Sequence, residues 1–114
     1  MLKVAIDAMG GDHSPEQPIS GIKSYLEDFS NENIFFYIIG DKKKISDLLK
    51  KNNINSKYEV VASNQEIAMN EKPSEAIRKK PNSSMVKSLE LLRDQKVDAV
   101  ISAGNTGALM LGAS

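Results

Sequence analysis

Apolar residues recur along the chain in two alternating patterns, one typical of buried strands and one typical of helices. Near-continuous apolar, β-branched runs predict parallel strands that are covered on both faces. These runs lie at residues 2–8, 33–40, 58–62 and 98–103. Apolar positions at helical spacing separate them. The alternation predicts an α/β fold with a mostly parallel sheet and right-handed crossovers.

Short polar residues mark the expected starts of the first two helices. Ser14, followed by Pro15 and by Gln17 at the third helical position, fits a capping box. The apolar stripe of this helix is expected to include Phe29. Asp41 is the expected N-cap of the second helix.

The second half of the chain predicts three further helices. Residues 63–73 favour a loop, and a short helix is expected over 74–80, before Pro81. Ser83 and Ser84 can cap the next helix. A final helix is expected after the fourth strand, and the sequence stops inside its apolar stretch. We therefore expect residues 1–114 to be the N-terminal portion of a single domain whose C-terminal remainder is absent.

Composition narrows the class of protein. The chain has 114 residues, of which 40% are hydrophobic and 26% are charged, as in ordinary globular proteins. Fifteen basic residues balance fifteen acidic ones, which argues against nucleic acid as a partner. Without cysteine, a thiolate metal site or a cysteine nucleophile is excluded in this stretch. No signal peptide or membrane span is evident, so we expect a cytoplasmic protein.

The turn after the first strand is the first candidate site. Gly10 and Gly11 let the backbone approach a ligand, and the following helix N-terminus favours an anion. Asp7, Asp12 and His13 could accept, donate or orient protons. The alternative is a tight strand-to-helix turn whose carboxylates cap backbone amides. Adjacent glycines do not match the dinucleotide-binding fingerprint.

The second candidate site lies at residues 72–85. Arg78 and Lys79 precede a helix start that carries the hydroxyls of Ser83 and Ser84. Cations, free amides and hydroxyls together could hold phosphate or a phosphopantetheine arm. The alternative is a solvated charged turn with an ordinary N-cap.

The third candidate site is the turn after the last predicted strand. Gly104 and Gly107 flank Asn105 and Thr106, which places short polar side chains at a helix start. Oriented amides in such a turn can stabilise a developing oxyanion. The alternative is a helix cap with small residues for close packing.

The three segments, in this order, resemble those of phosphate acyltransferases of bacterial phospholipid synthesis, and the resemblance covers the whole chain. It implies an enzyme that forms acyl phosphate from acyl-acyl-carrier-protein and orthophosphate. The implied fold is a three-layer α/β/α sandwich similar to isocitrate and isopropylmalate dehydrogenases, here truncated. It also implies a homodimer that needs no metal or nicotinamide and associates with the inner membrane face. A membrane glycerol-3-phosphate acyltransferase would take the product.

The resemblance also suggests roles for individual residues. Asn105 and Thr106 are expected near the reacting carbonyl or phosphate, and Asp12 and His13 are expected to orient a proton or a partner side chain. The expected substrate-binding residues are Gly10, Gly11, Arg78, Lys79, Ser83, Ser84, Gly104 and Gly107.

Two other functions fit the same segments. One is a phosphotransacetylase-like enzyme that uses coenzyme A and a short acyl group. The other is a non-catalytic α/β module that binds an anion at its helix N-termini. The preferred acyl donor separates the first alternative, and phosphate binding without acyl product would indicate the second.

Overall fold

The computed structural model of the protein describes residues 1–11, 13–29, 33–65 and 72–102. Strands and helices alternate along this part of the chain. The elements are β1 (Leu2–Asp7), α1 (Glu16–Asp28), β2 (Ile34–Gly40), α2 (Lys42–Lys51), β3 (Tyr58–Ala62), α3 (Pro73–Lys79), α4 (Ser84–Arg93) and β4 (Ala99–Ser102).

The four strands form one parallel sheet in the order β3-β2-β1-β4. The apolar runs therefore became strands of the predicted kind. β1 lies inside the sheet, with β2 on one side and β4 on the other. β2 pairs with one edge of β1, and β3 pairs with the outer edge of β2. The next strand in the chain, β4, pairs with the opposite edge of β1. The order in which strands are added to the sheet therefore reverses between β1 and β4.

Helices cover both faces of the sheet. On the first face, α1 and α2 pack on β1 and β2 through residues such as Ile19, Ile22, Ile38 and Ile45, all buried. On the second face, α4 packs on β1, β2 and β4. The short helix α3 packs against α4 where Ala76 meets the buried Met85. The result is the predicted three-layer α/β/α arrangement of a small α/β fold; its likeness to the dehydrogenases stays a prediction.

Successive residues of β1 alternate between these faces, as in any strand. Val4 and Ile6 join the apolar cluster of the first face, whereas Ala5 joins that of the second. Asp7 follows the second-face alternation, so the last residue of β1 places a carboxylate under the start of α4. This alternation puts a charged group inside the molecule.

Two predicted helix caps are confirmed. The Asp41 carboxylate accepts the backbone N–H of Lys44 at 3.1 Å and starts α2. The Ser83 hydroxyl accepts the backbone N–H of Val86 at 3.2 Å and starts α4. Each bond satisfies a first-turn amide that has no partner inside its helix.

The predicted cap of α1 is wrong. Pro15, not Ser14, occupies the N-cap position, and no side chain caps the helix there. The Ser14 hydroxyl instead accepts the backbone N–H of Gly11 at 3.2 Å, within the turn that leaves β1. The Ser14 side chain is therefore committed to the turn and not to the helix.

The predicted apolar stripe of α1 extends too far at its C-terminal end. Phe29 follows the last helical residue and is 49% exposed. Its ring packs on that of Tyr25, with 4.9 Å between the centroids. The final predicted helix lies outside the described residues. Among the helices that the structure describes, none combines the length and the apolar character needed to cross a membrane.

Candidate active site at the carboxyl ends of β1 and β4

The strand order reverses between β1 and β4, and in open parallel sheets such a reversal leaves a crevice at the carboxyl ends of the two strands. Helices that connect strands on opposite sides of such a point lie on opposite faces of the sheet, which leaves a gap between them. Asp7 and Ser102 are the last residues of β1 and β4, and they face each other in the strand register. In open parallel sheets, ligands bind outside this edge, at this point.

Asp7 is the most enclosed charged group in the described part of the chain. Its side chain belongs to a residue that is only 3% exposed. The Ser102 hydroxyl donates to Asp7 Oδ2 at 2.7 Å, and the Ser84 hydroxyl donates to Asp7 Oδ1. The backbone N–H of Met9 also donates to Oδ1, at 3.2 Å. Hydrogen bonds to an ionised group are stronger than neutral ones and offset the cost of burying the charge.

The start of α4 is fastened from several directions. The backbone N–H of Ser84 donates to the Gln65 carbonyl at 3.1 Å, which ties α4 to the segment after β3. The Lys87 ammonium donates to the Ala62 carbonyl, the last residue of β3, at 2.8 Å. The Ser88 hydroxyl donates to the Ser84 carbonyl at 2.7 Å, one turn along the helix. The first two contacts, together with the bond from Ser84 to Asp7, fix the start of α4 against the ends of β1 and β3, whereas the Ser88 bond lies within α4.

Both predicted serines at this start are buried and engaged. Ser83 is 0% exposed and Ser84 is 1% exposed. The Ser83 hydroxyl caps the helix, whereas the Ser84 hydroxyl serves Asp7. Two first-turn amides, those of Ser84 and Val86, also have partners within the protein. The two hydroxyls are therefore part of the framework around the crevice.

The predicted glycine turn leaves β1 on the same side of the sheet. Gly10 has a φ of 89°, a backbone conformation that glycine adopts without steric cost. The backbone N–H of Gly11 donates to the Ser14 hydroxyl within this turn. His13 is exposed, and its carbonyl accepts the Gln17 N–H at 2.9 Å. The structure thus places this turn beside the crevice, while Asp12 lies outside the described residues.

The remaining predicted site residues are placed in part. Arg78 and Lys79 occupy the last turn of α3 and are exposed. Gly104, Asn105, Thr106 and Gly107 lie outside the described residues. Their roles stay predictions, as does the role of Asp12. In the chain, however, all four residues follow closely after Ser102, which is one wall of the crevice.

An apolar groove runs along the first face beside β1. Its volume is about 640 Å³, and Val4, Ile6 and Ile101 contribute to its lining. Ile101 is 56% exposed, so the described residues leave much of its side chain open. Asp7 and Ser102 also border the groove. Its apolar wall therefore adjoins the polar crevice.

Comparison with known proteins places the chain in a family. A family model described as fatty acid synthesis protein matches residues 2–114, nearly the whole chain. The chain belongs to the fatty acid synthesis protein family. This agrees with the resemblance that its three motifs indicated.

Curated relatives of the chain carry the name phosphate acyltransferase. The protein of Dictyoglomus turgidum is 42% identical over 98% of the chain and 33% of its own length. That of Clostridium botulinum, strain Langeland, is 46% identical over 97% of the chain and 33% of its length. The Streptococcus mutans protein is 43% identical over 96% of the chain and 32% of its own length. The chain thus spans about a third of the curated relatives that it matches.

Two residues of the crevice, Asp7 and Ser102, are only weakly indicated by the sequence. The sequence indicates Asp7 only as one of several proton-handling groups, and Ser102 only as the strand end at which the third segment begins. A signal was present, because each ends an apolar strand with a polar side chain. The sequence did not reveal that β1 and β4 are adjacent strands. Their pairing brings the two side chains together.

Proposed function

We propose that the chain is the part of a phosphate acyltransferase that forms one wall of the active site. The complete enzyme would transfer an acyl group from acyl carrier protein to orthophosphate. The observation that carries this proposal is the match to relatives named phosphate acyltransferase over 96% or more of the chain. The crevice at the ends of β1 and β4 supports it, because this is where α/β sheets bind their ligands.

The proposed reaction needs no nucleophile from the protein. A phosphate oxygen attacks the thioester carbonyl carbon and forms the new C–O bond. The C–S bond breaks, and the sulfur leaves with the electron pair as the phosphopantetheine thiolate. The products are acyl phosphate and the free thiol form of the carrier once the thiolate takes a proton. The absence of cysteine from the chain is compatible with this route.

The requirements on the protein are binding, orientation and stabilisation of charge. We assign Asn105 and Thr106, which follow the β4 wall, to the reacting carbonyl or phosphate. Arg78 and Lys79, both exposed, are assigned to phosphate or to the carrier's arm. Ser83 and Ser84 would contribute through the position of α4, because their hydroxyls are engaged within the protein.

The groove beside β1 supports a long acyl chain over a short one. Its lining is apolar, and it adjoins Asp7 and Ser102 at the crevice. A hydrocarbon chain gains roughly 0.8 kcal/mol per methylene that leaves water, whereas an acetyl group would leave such a surface unused. This feature favours a long-chain acyl donor over the short acyl group of the phosphotransacetylase-like alternative.

The wider setting follows from the same proposal. Acyl phosphate would pass to a membrane glycerol-3-phosphate acyltransferase and so enter phospholipid synthesis. The complete protein would work as a cytoplasmic homodimer that associates with the inner membrane face.

The test is phosphate-dependent acyl phosphate formation, trapped as hydroxamate. A chimaeric protein, in which this chain replaces the matching third of the Clostridium botulinum relative, is incubated with palmitoyl-acyl-carrier-protein and orthophosphate. Thioesters also react with hydroxylamine, so reactions without phosphate set the background. Palmitoyl-coenzyme A and acetyl-coenzyme A serve as competing donors.

We expect phosphate-dependent hydroxamate with the acyl-carrier-protein donor above both coenzyme A donors. Preference for acetyl-coenzyme A would support the phosphotransacetylase-like enzyme instead. A folded chimaeric protein that binds phosphate but forms no acyl phosphate from any donor would contradict the enzyme proposal. The parent relative, assayed in parallel, controls for the substrates.

A further inference from the structure

Asp7 has the geometry of a residue that holds two walls of the crevice together. Each of its carboxylate oxygens serves a different element. Oδ1 accepts from Ser84 at the start of α4, and Oδ2 accepts from Ser102 at the end of β4. The partners lie 77 and 95 residues further along the chain. One buried group therefore joins three elements that are distant in sequence.

The carboxylate is too enclosed to be a direct ligand of phosphate. Asp7 is 3% exposed, and its negative charge would repel an anionic substrate. Its geometric effect falls on Ser102, after which the chain runs directly into residues 103–107. Ser102 lies at the carboxyl end of β4, opposite Asp7, and Asn105 and Thr106, which are assigned to the reacting groups, follow it in the chain.

We propose that Asp7 is a positioning residue of the active site that fixes the end of β4, at Ser102, and the start of α4, at Ser84, around the crevice. The proposal rests on the acyltransferase function proposed above and adds to it a residue outside direct substrate contact. Small displacements of a reacting group cost large factors in rate, so a residue that fixes the end of β4 should affect turnover.

The main test is Asp7→Asn in the chimaeric protein. The carboxamide keeps the size of the side chain but replaces one acceptor oxygen with a donor NH₂, so Ser84 and Ser102 can no longer both donate to it. We expect kcat to fall by about 10-fold to 100-fold, with the KM for phosphate little changed. Cooperative thermal unfolding of the variant verifies that it is folded.

Ser102 variants test whether the effect passes through that hydroxyl. Ser102→Ala should reproduce the kcat loss, and Ser102→Thr, which keeps a hydroxyl, should restore much of it. Adding Ser102→Ala to Asp7→Asn should lower kcat little further, because both changes remove the same contact. Ser88→Ala is the matched control: Ser88 is also buried, but it donates to the Ser84 carbonyl and not to Asp7. It should leave kcat unchanged.

Amide hydrogen exchange of the same variants tests the positioning without using activity. Asp7→Asn should speed exchange at Ile101 and Ser102 more than at Ile45 and Leu49 in α2. If the unmodified chimaeric protein makes no acyl phosphate, the enzyme proposal fails and the exchange pattern alone decides the structural role of Asp7.

Three results would overturn the proposal. One is a folded Asp7→Asn protein with unchanged kcat. Another is an Asp7→Asn protein in which the rate of amide exchange changes by the same factor in β4 and in α2. The third is a Ser102→Ala protein with full turnover, which decides the matter even if Asp7→Asn fails to fold.

Discussion

Ile38 and Ile39 are neighbours on β2, and they meet different surroundings because they point to opposite faces of the sheet. Both are 0% exposed. Ile38 joins the large cluster of the first face, where Ile, Val, Leu and Phe side chains from α1, α2, β1 and β2 meet. Ile39 joins a small cluster in which Ala5 and Val97 are its buried members. The first face holds most of the apolar core.

The second face uses buried space differently. Beside its small apolar cluster lie the Asp7 carboxylate and the hydroxyls of Ser83, Ser84 and Ser88, all buried. Apolar burial stabilises without defining direction, whereas hydrogen bonds fix the angle and distance of their partners. The first face therefore provides stability, and the second face, at its carboxyl edge, provides a defined geometry for the crevice.

The largest expected effect tests the contrast between the two isoleucines. Ile38→Ala should lower the free energy of unfolding by about 3–5 kcal/mol, because it leaves a cavity in the large cluster. Ile39→Ala should cost less, about 2–3 kcal/mol, since its smaller cluster can collapse more easily. Urea denaturation of both variants measures the difference. Equal losses of unfolding free energy in the two variants would contradict the proposal that the first face provides most of the stability.

Cap removal gives the next effect. Ser83→Ala removes the fully buried cap of α4 and should cost about 1–2 kcal/mol. Asp41→Ala removes the more exposed cap of α2 on the first face and should cost about 0.5–1 kcal/mol. Thermal melts of the two variants rank the caps. A larger loss at Asp41 would show that burial on the second face adds nothing to a cap.

A smaller effect, of opposite sign, is expected in α1. Gly21 lies inside this helix, and apart from the helix's own backbone and the neighbouring residues, an added Cβ would meet no atom of the described residues within 4 Å. Gly21→Ala should therefore stabilise the protein by about 0.5–1 kcal/mol, through helix propensity and a less flexible unfolded chain. Gly40→Ala is the contrast, because a Cβ there would lie 2.6 Å from Met9 Cγ. Differential scanning calorimetry should show opposite shifts in Tm.

The smallest effect is expected at the C-terminal end of α4. The hydrogen bond from Arg93 lowers the pKa of Asp94, so any stabilisation is present at neutral pH and lost as pH falls through that lowered pKa. Both side chains are exposed, and solvent screens such pairs. Arg93→Ala should leave Tm unchanged at pH 7 and also at pH 3. A measurable loss at pH 7 alone would show that this surface pair contributes.

The sequence predicts the elements better than it predicts the site. Strands and the caps at Asp41 and Ser83 follow from local patterns, because burial on both faces and first-turn amides impose local requirements. Ser14 shows the limit of such patterns, since its hydroxyl had a competing partner, the Gly11 N–H, in the preceding turn. Phe29 shows another, because helical spacing does not reveal where the helix ends.

The contacts of Asp7 could not be predicted in this way. They require that β1 and β4 be neighbours and that Asp7 and Ser102 share a register, which are properties of the whole sheet. Local signals could indicate only that each strand ends in a polar side chain. The candidate site was therefore predicted as three separate segments, and the structure joins the first two through Asp7, which the sequence indicates only as one of several proton-handling groups.

The strand order also has a consequence for the order of events during protein synthesis. β2 and β3 follow β1 closely in the chain, whereas β4 completes the pairing of Asp7 with Ser102 across 95 residues. At roughly 5–20 residues per second, a ribosome needs several seconds to deliver that partner. Closing the longer loop also costs more chain entropy. The first face can therefore form early, and the crevice is the last part of this segment to assemble.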